Sequence, residues 1–429
     1  MQPTEGQNDS QNKQTNQNLE SVSKYSQKMI KIYRKQIQKG YLNIQKNSKL
    51  KDLAFIRNLN IQRLTLEDCN NIIPNFESKN IQEIFIEYCD FTNKDISFNC
   101  PSLTNLGFNS CGVLKLDQLK TLSNLIELKL NENIGIDLAP LQYCTKLNVL
   151  WMIDLNLTNL DVLMHLTNLV ELSLNDNENV EIKSLQFLIK LTKLGLAGGY
   201  LTNLNTLQYL TNLIELNLND NENIDINPLQ YLAKLTILGL ERCRLTKLNS
   251  LRSLVSLEQL YLQENQGIDI TPLQYLKKLK KLQLNYCDLD NIEALRPLVE
   301  LQELQISLNS IISIQPVNQL KQIYILNTMG NKIIDFQAIQ THPHFQEFVI
   351  VCQHKPTKEQ LLAGHKMTCI SYSTDSFRRM QKFRISFNLQ QASHKKKIVE
   401  QIKSSFIKQS EFITQVAQFF QKLSYIDEQ

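Results

Sequence analysis

Two cysteines and two histidines near the C-terminal end are the residues whose types best suit chemistry: Cys352-x-His354 and His365-x-x-x-Cys369. Thiolate sulfur and imidazole nitrogen are donors to zinc, and four of them can close a tetrahedral site. The spacing is not that of a standard finger, and the segment lies where an array of repeats would need a cap. Packing or solvent exposure accounts for these side chains more simply. No metal or other cofactor is expected, and a metal-dependent enzyme using the Cys352/His354/His365/Cys369 cluster stands as a distant alternative. His342 and His344 around Pro343 carry less still. A Gly-rich phosphate loop, a G-x-S-x-G elbow and an H-E-x-x-H helix do not occur in the sequence, and each supplies a geometry its reaction requires. The chain is expected to be noncatalytic.

The remaining chemistry sits on a repeat. The frame L-x-x-L-x-L-x-x-N/C starts at Ile81, Leu103, Leu125, Leu147, Leu169, Leu191, Leu213, Leu235, Leu257, Leu279, Leu301 and Ile323, each start 22 residues after the last. Degenerate copies start at Ile61 and Lys39, giving 14 units over about 39–345. A fixed period in this range is the mark of a leucine-rich-repeat solenoid. Leu125, Leu128 and Leu130 alternate as a strand does. Ile136, Leu138, Leu141 and Cys144 follow at spacings that suit a 3₁₀-like or irregular return. About seven apolar groups per unit bury roughly 10–20 kcal/mol. Ordering the backbone of one unit costs at least that much, at ~1–2 kcal/mol per residue. A lone unit therefore fails, and only the stacked array folds. The expected fold is an α/β solenoid, a horseshoe with a parallel sheet on its concave face, a 3₁₀ convex side and a C-terminal helical region. Units also alternate in pairs, N-x-x-(I/V)-x-I…L-Q-(Y/F) in one and a leucine two residues after the turn in the next, so the true period there is 44 residues.

The stretch NENIDINPLQYLAKLTILGLERCRLTKL resembles the repeats of Sds22-type regulators of protein phosphatase 1 and those of bacterial internalins. The likeness extends over roughly 70% of the chain by repeat count. It implies a noncatalytic binding protein, as a scaffold or the regulatory subunit of an enzyme, or else a cytoskeletal or axonemal structural adaptor.

The register names the residues that face out from the sheet. The third, fifth, seventh and eighth positions of the units carry 12 carboxylates and four cations between Ile81 and Leu308. Among them Glu127, Lys129, Glu132, Asp154, Glu171, Asp176, Glu215, Asp220, Glu241 and Glu264 form an acidic face that would steer in a protein with a basic surface. Trp151, the only tryptophan, lies on this face with Val149 and Ile153, and Tyr261 lies further along it. An aromatic cluster with a polar rim is the composition of a binding hot spot. Gly195 and Gly239 should leave the adjoining groove shallow, with room for partner side chains. Cys69, Cys89, Cys111, Cys243 and Cys287 occupy the ninth position and Cys100 and Cys144 the twentieth, so packing explains seven of the nine cysteines.

The 429 residues carry 46 Lys+Arg against 42 Asp+Glu, unevenly placed. Residues 1–40 are net +4 and residues 346–429 net +6, which leaves the stretch between at −6. Four regions are expected: a disordered Asn/Gln-rich tail over 1–20, a basic helix or cap over 21–38, the solenoid over 39–345, and a basic cap with an amphipathic helix over 346–429. Ile402, Phe406, Ile413, Val416, Phe420 and Leu423 give the last stretch its helical spacing, which suggests self-association through 395–429. The Lys395–Lys397 run alone is too little to predict nucleic-acid binding. No apolar run is long enough to span a membrane, and no apolar leader is seen. The cytoplasm is the expected compartment, with the nucleus as the alternative.

Overall fold

Every unit places two inward apolar residues one residue apart, and each such pair becomes a short parallel strand whose side chains alternate between core and surface. The computed structural model describes residues 24–335 other than 48 and 51, together with 342, 349–352 and 368–371. The chain divides into two units, Met1–Ser373 and Thr374–Gln429, and all the described residues belong to the first. The expected amphipathic helix over 395–429 and the N-terminal tail over 1–20 lie outside the described residues, as do His344, His354 and His365.

Helix α1 (Lys24–Gln38) leads into β1 (Tyr41–Gln45). The strands that follow are β2 (Arg63–Glu67), β3 (Asn75–Glu77), β4 (Glu83–Glu87), β5 (Ser97–Asn99) and β6 (Asn105–Asn109). Next come β7 (Glu127–Lys129), β8 (Val149–Trp151), β9 (Glu171–Ser173), β10 (Lys193–Gly195) and β11 (Glu215–Asn217). The series continues with β12 (Ile237–Gly239), β13 (Gln259–Tyr261), β14 (Lys281–Gln283), β15 (Glu303–Gln305), β16 (Ile325–Asn327), β17 (Val349–Cys352) and β18 (Thr368–Ser371). Sixteen of these form one sheet in chain order, while β3 and β5 pair separately in the return segments. Register advances by one unit per strand, so that Lys129 pairs with Trp151 and Trp151 with Ser173. After β16 the step changes: Ile325 pairs with Val349, and Val349 with Thr368. Two irregular turns thus carry the sheet into the stretch for which the sequence predicts a cap. Strand β17 holds Cys352 and β18 holds Cys369.

The returns are 3₁₀ turns, such as Ala139–Tyr143 and Asp161–His165, with their leucines turned inward. Several are preceded by an Asp or Asn whose side chain takes the turn's first N–H: Asp137 Oδ1 accepts the Ala139 N–H at 2.9 Å and Asp225 Oδ1 the Asn227 N–H at 3.0 Å. At the near end, α1 buries Met29 against the core and packs Tyr25, Ile30, Tyr33 and Ile37 beside it. Gly40, at φ +80°, turns the chain from helix to strand, and Gln36 Oε1 accepts the Asn43 N–H at 2.8 Å. The helix so covers the first strand's apolar face with a polar exterior, which an array end requires.

The ninth position holds the turns together. Asn177 Nδ2 donates to Met152 O (2.7 Å) and Leu174 O (2.9 Å), and its Oδ1 accepts the N–H groups of Leu155 (3.1 Å) and Leu157 (3.2 Å). Asn133, Asn221 and Asn265 repeat this at 44-residue steps. The intervening turns are tied differently, by the N–H groups of Asn179, Asn223 and Gly267 to the carbonyls of Gly199, Cys243 and Cys287. The two-unit rhythm is therefore an alternation of two ways to satisfy buried turn backbone. Where a cysteine stands in this column its thiol donates to the same carbonyl positions, as Cys243 Sγ does to Leu218 O (3.2 Å) and Glu241 O (3.3 Å).

Cys69, Cys89, Cys100, Cys111, Cys144, Cys243 and Cys287 are all buried free thiols. Burial pushes Cys100, Cys111, Cys144 and Cys287 up to about 11 and Cys243 to about 12. Since the thiolate is the reactive form, these thiols are expected to stay unlabelled by a disulfide reagent at pH near 8 until denaturant is added. Peptide mapping of the labelled native protein checks this, and rapid labelling of any of the five would contradict it.

Candidate partner-binding face

The open face of the sheet carries its candidate side chains in columns, because each strand is in register with the next. In the fifth column Phe85, Gly107, Lys129, Trp151 and Ser173 follow one another across β4, β6, β7, β8 and β9. The Lys129 ammonium lies 4.0 Å from the centre of the Trp151 ring and 5.7 Å from that of Phe85. Phe85 reaches it because Gly107 stands between: a Cβ on Gly107 would lie 2.7 Å from Phe85 Cδ1. Glu127 holds the same ammonium at 2.8 Å and accepts from Asn105 Nδ2 at 2.7 Å. The indole N–H of Trp151 donates to Glu171 Oε1 at 2.8 Å. Trp151 is thus half-buried and fixed from two sides by charge-assisted contacts, a cation on its ring face and a carboxylate on its N–H. Val149 and Ile153 beside it are also half-exposed, and none of the three is enclosed among the leucines.

The eighth position forms a rim along this face. All fourteen units turn there through a left-handed residue, with φ from 50° at Lys46 to 76° at Gly330. Aspartate tolerates that conformation better than most residues, and Asp68, Asp154, Asp176 and Asp220 occupy it. Glu132 accepts a hydrogen bond from Ser110 Oγ. Neither Asp154 nor Asp176 has a Lys or Arg nitrogen within ion-pair distance among the described residues. Partial burial, and then the like charges of Asp154 and Asp220, push the Asp176 carboxyl above the usual aspartate range.

Further along, the acidity is largely compensated. Arg242 is bidentate to Asp220, with Nη2 to Oδ2 at 2.8 Å, and reaches Glu264 at 3.3 Å. Lys193 lies 3.6 Å from Glu215. Burial pushes the Glu241 and Glu264 carboxyls up. Tyr261 donates to Gln259 Oε1 at 2.8 Å, with the Lys281 ammonium 5.7 Å from its ring centre. Five strand steps, ~24 Å, separate Tyr261 from Trp151. The residues named from the sequence therefore fall into two groups. Trp151, Val149, Ile153, Glu127, Lys129, Glu132, Asp154, Glu171 and Asp176 cluster on β7 to β9 and the turns after them. Glu215, Asp220, Glu241, Tyr261 and Glu264 form a separate, mostly paired set.

Phe85, Asn105 and Asn175 were not legible as parts of the site. Phe85 shares Trp151's column, which was the available signal. The groove over the glycines is not empty: Asn175 Oδ1 lies 2.7 Å from where a Gly195 Cβ would stand, and Asn219 Oδ1 lies 2.6 Å from that of Gly239. Each of these amides accepts a backbone N–H from the next strand, Ala197 and Glu241 respectively. Elsewhere, His342 is buried with a ring nitrogen 2.7 Å from Leu320 O, which gives it a structural partner. Among the described residues no three His, Cys, Asp or Glu side chains converge as a metal site would require. No described helix is long and apolar enough to cross a membrane.

No family model matches the chain, and no curated protein does. Solved structures do. The internalin inlF of Listeria monocytogenes superposes with a TM-score of 0.61 at 23% identity, over 68% of this chain and 87% of that one. The functional domain of InlJ from the same organism gives 0.48 at 19% identity, over 68% and 69%. The inlF likeness, at this identity, establishes the fold and nothing finer, and the fold is that of a leucine-rich-repeat solenoid.

Proposed function

We propose that this leucine-rich-repeat protein is a noncatalytic scaffold or regulatory subunit that binds a protein partner on the open face of its sheet. Trp151 is the anchor, and Glu132, Asp154 and Asp176 are the charge complement. The observation that carries this reading is the pairing of a fixed, half-exposed tryptophan with adjacent carboxylates that have no cation of their own. A rigid aromatic costs little entropy to bury further, and a basic side chain from a partner would relieve the like-charge crowding at Asp176. Quantitative affinity capture with the full chain tests it. The partner is expected to be held by the wild type, lost from Asp154→Lys/Asp176→Lys, and progressively released as salt rises from about 50 to 300 mM. Equal retention by both proteins at every salt concentration would remove this face from the account.

The raised Asp176 carboxyl sets a pH dependence. Its charged form is disfavoured in the free protein, and a partner cation favours that form. Affinity is therefore fully present above its folded pKa and falls as pH drops through it, beginning at a higher pH than for an ordinary aspartate. Asp176→Asn is expected to remove that step from calorimetric titrations between about pH 4 and 7, and an unaltered profile would contradict the assignment.

A further inference from the structure

The convex side carries a second surface, of opposite charge. Where the chain leaves eight successive 3₁₀ turns for the next strand, the segments 120–124, 142–146, 164–168, 186–190, 208–212, 230–234, 252–256 and 274–278 hold seven Lys and Arg residues and no Asp or Glu, while the equivalent segment that follows, 296–300, carries Glu300. Glu258, close to the stripe in sequence, is paired with Lys280 at 2.8 Å, and the Asp269 carboxylate interacts with Arg252. On this stripe aromatic rings recur every second unit: Tyr143, Phe187, Tyr231 and Tyr275 are 45–54% exposed. Three residues after each comes an exposed lysine: Lys146, Lys190, Lys234 and Lys278.

The lysines are held in place without being neutralised. Lys146 Nζ donates to Asn124 Oδ1 (2.9 Å), Lys190 Nζ to Asn168 Oδ1 (2.7 Å) and Lys234 Nζ to Asn212 Oδ1 (2.6 Å). Two of those asparagines are themselves anchored through Nδ2, Asn168 to Thr145 O and Asn212 to Ile189 O, both at 2.9 Å. An amide oxygen orients the ammonium and leaves its charge intact. The result is a row of oriented cations, each three residues along the chain from a half-exposed ring, repeating every ~10 Å or more along the solenoid; over Tyr275 the Arg252 guanidinium lies 5.4 Å from the ring centre.

We infer that this stripe binds single-stranded nucleic acid, with the lysines on phosphates and the rings stacked on bases. Uncompensated positive charge selects an anionic partner. Exposed rings beside it select one with planar faces to stack, which an unpaired strand offers and an acidic peptide does not. The stripe is one ring wide and follows the repeat axis, so it suits a linear polyanion better than a lipid plane. The sequence-level expectation of no nucleic acid rests on the Lys395–Lys397 triplet. The stripe is visible only once the fold brings residues 44 apart into line.

Fluorescence anisotropy with labelled oligothymidylate of about 20 nucleotides, added to the full-length protein, tests the inference. Four phosphate contacts predict a slope of log affinity against log salt of about −3. Lys146→Glu/Lys190→Glu/Lys234→Glu is expected to abolish binding at moderate salt. Tyr143→Ala/Phe187→Ala/Tyr231→Ala is expected to weaken it about tenfold or more with the slope unchanged. All six side chains are exposed, and circular dichroism verifies that both variants fold. Photo-crosslinking to the oligonucleotide should map to the peptides carrying Tyr143, Phe187 and Tyr231. Failure to bind the wild type, binding undiminished in the two variants, or competition by polyglutamate equal to that by the oligonucleotide would each overturn the proposal. So would association with phosphatidylserine-containing vesicles in place of the oligonucleotide.

Discussion

Asn177→Leu is expected to destabilise the centre of the array by about 4 kcal/mol, because two buried N–H groups lose their acceptor at ~1–3 kcal/mol each and three carbonyls lose a donor. Shape is not the cause: Leu155 already fills the equivalent place one unit earlier. The turn at Leu155–Leu157 should open first, since a linear stack of units loses local structure where one interface weakens. Urea denaturation gives the total, and amide exchange at residues 155 and 157 locates it. A change under about 1 kcal/mol would mean that water or a shifted backbone takes over the asparagine's role.

Trp151→Ala is expected to weaken the captured partner's affinity at least about 30-fold, the effect of removing a central aromatic anchor. The free protein is disturbed as well, because the same substitution strips Lys129 of its nearer ring contact and Glu171 of its donor. Trp151→Phe separates the two effects: it retains a ring under Lys129 and loses the N–H with part of the ring area. Glu171→Gln keeps an oxygen acceptor for the indole while removing the charge. If the anchor reading is right, Phe recovers most of the affinity and Gln nearly all of it. Loss of affinity in Glu171→Gln equal to that in Trp151→Ala would shift the weight from the ring to the carboxylate.

The phase of the repeat was legible because strand alternation puts Leu128 and Leu130 inward in every copy at one spacing, and a single slip would have turned a strand inside out. The buried cysteines were legible for the same reason: Cys243 and Cys287 occupy a column that Asn221 and Asn265 share. The left-handed eighth residue was not, since Tyr88, Arg242 and Leu308 have no local preference for it and the stacked turns impose it. Nor were strands β17 and β18, whose steps depart from the 22-residue frame. Within the site, the column assignment put Trp151 on the open face correctly, but a sequence cannot tell which charges will pair. Asp220 and Glu264 read as part of an acidic surface until Arg242 is seen between them, and Gly195 and Gly239 read as empty groove until Asn175 and Asn219 are seen over them.

Trp151 is the only tryptophan in the chain, so its intrinsic fluorescence reports on the proposed anchor and nothing else in this protein. Titration with a captured partner, chosen or altered to lack tryptophan, is the most direct measurement. The account predicts a saturable blue shift with lowered quenching by acrylamide, as the half-exposed ring loses its remaining contact with water. Saturable binding that leaves the emission and its quenching unchanged would place the interface away from Trp151 and contradict the account.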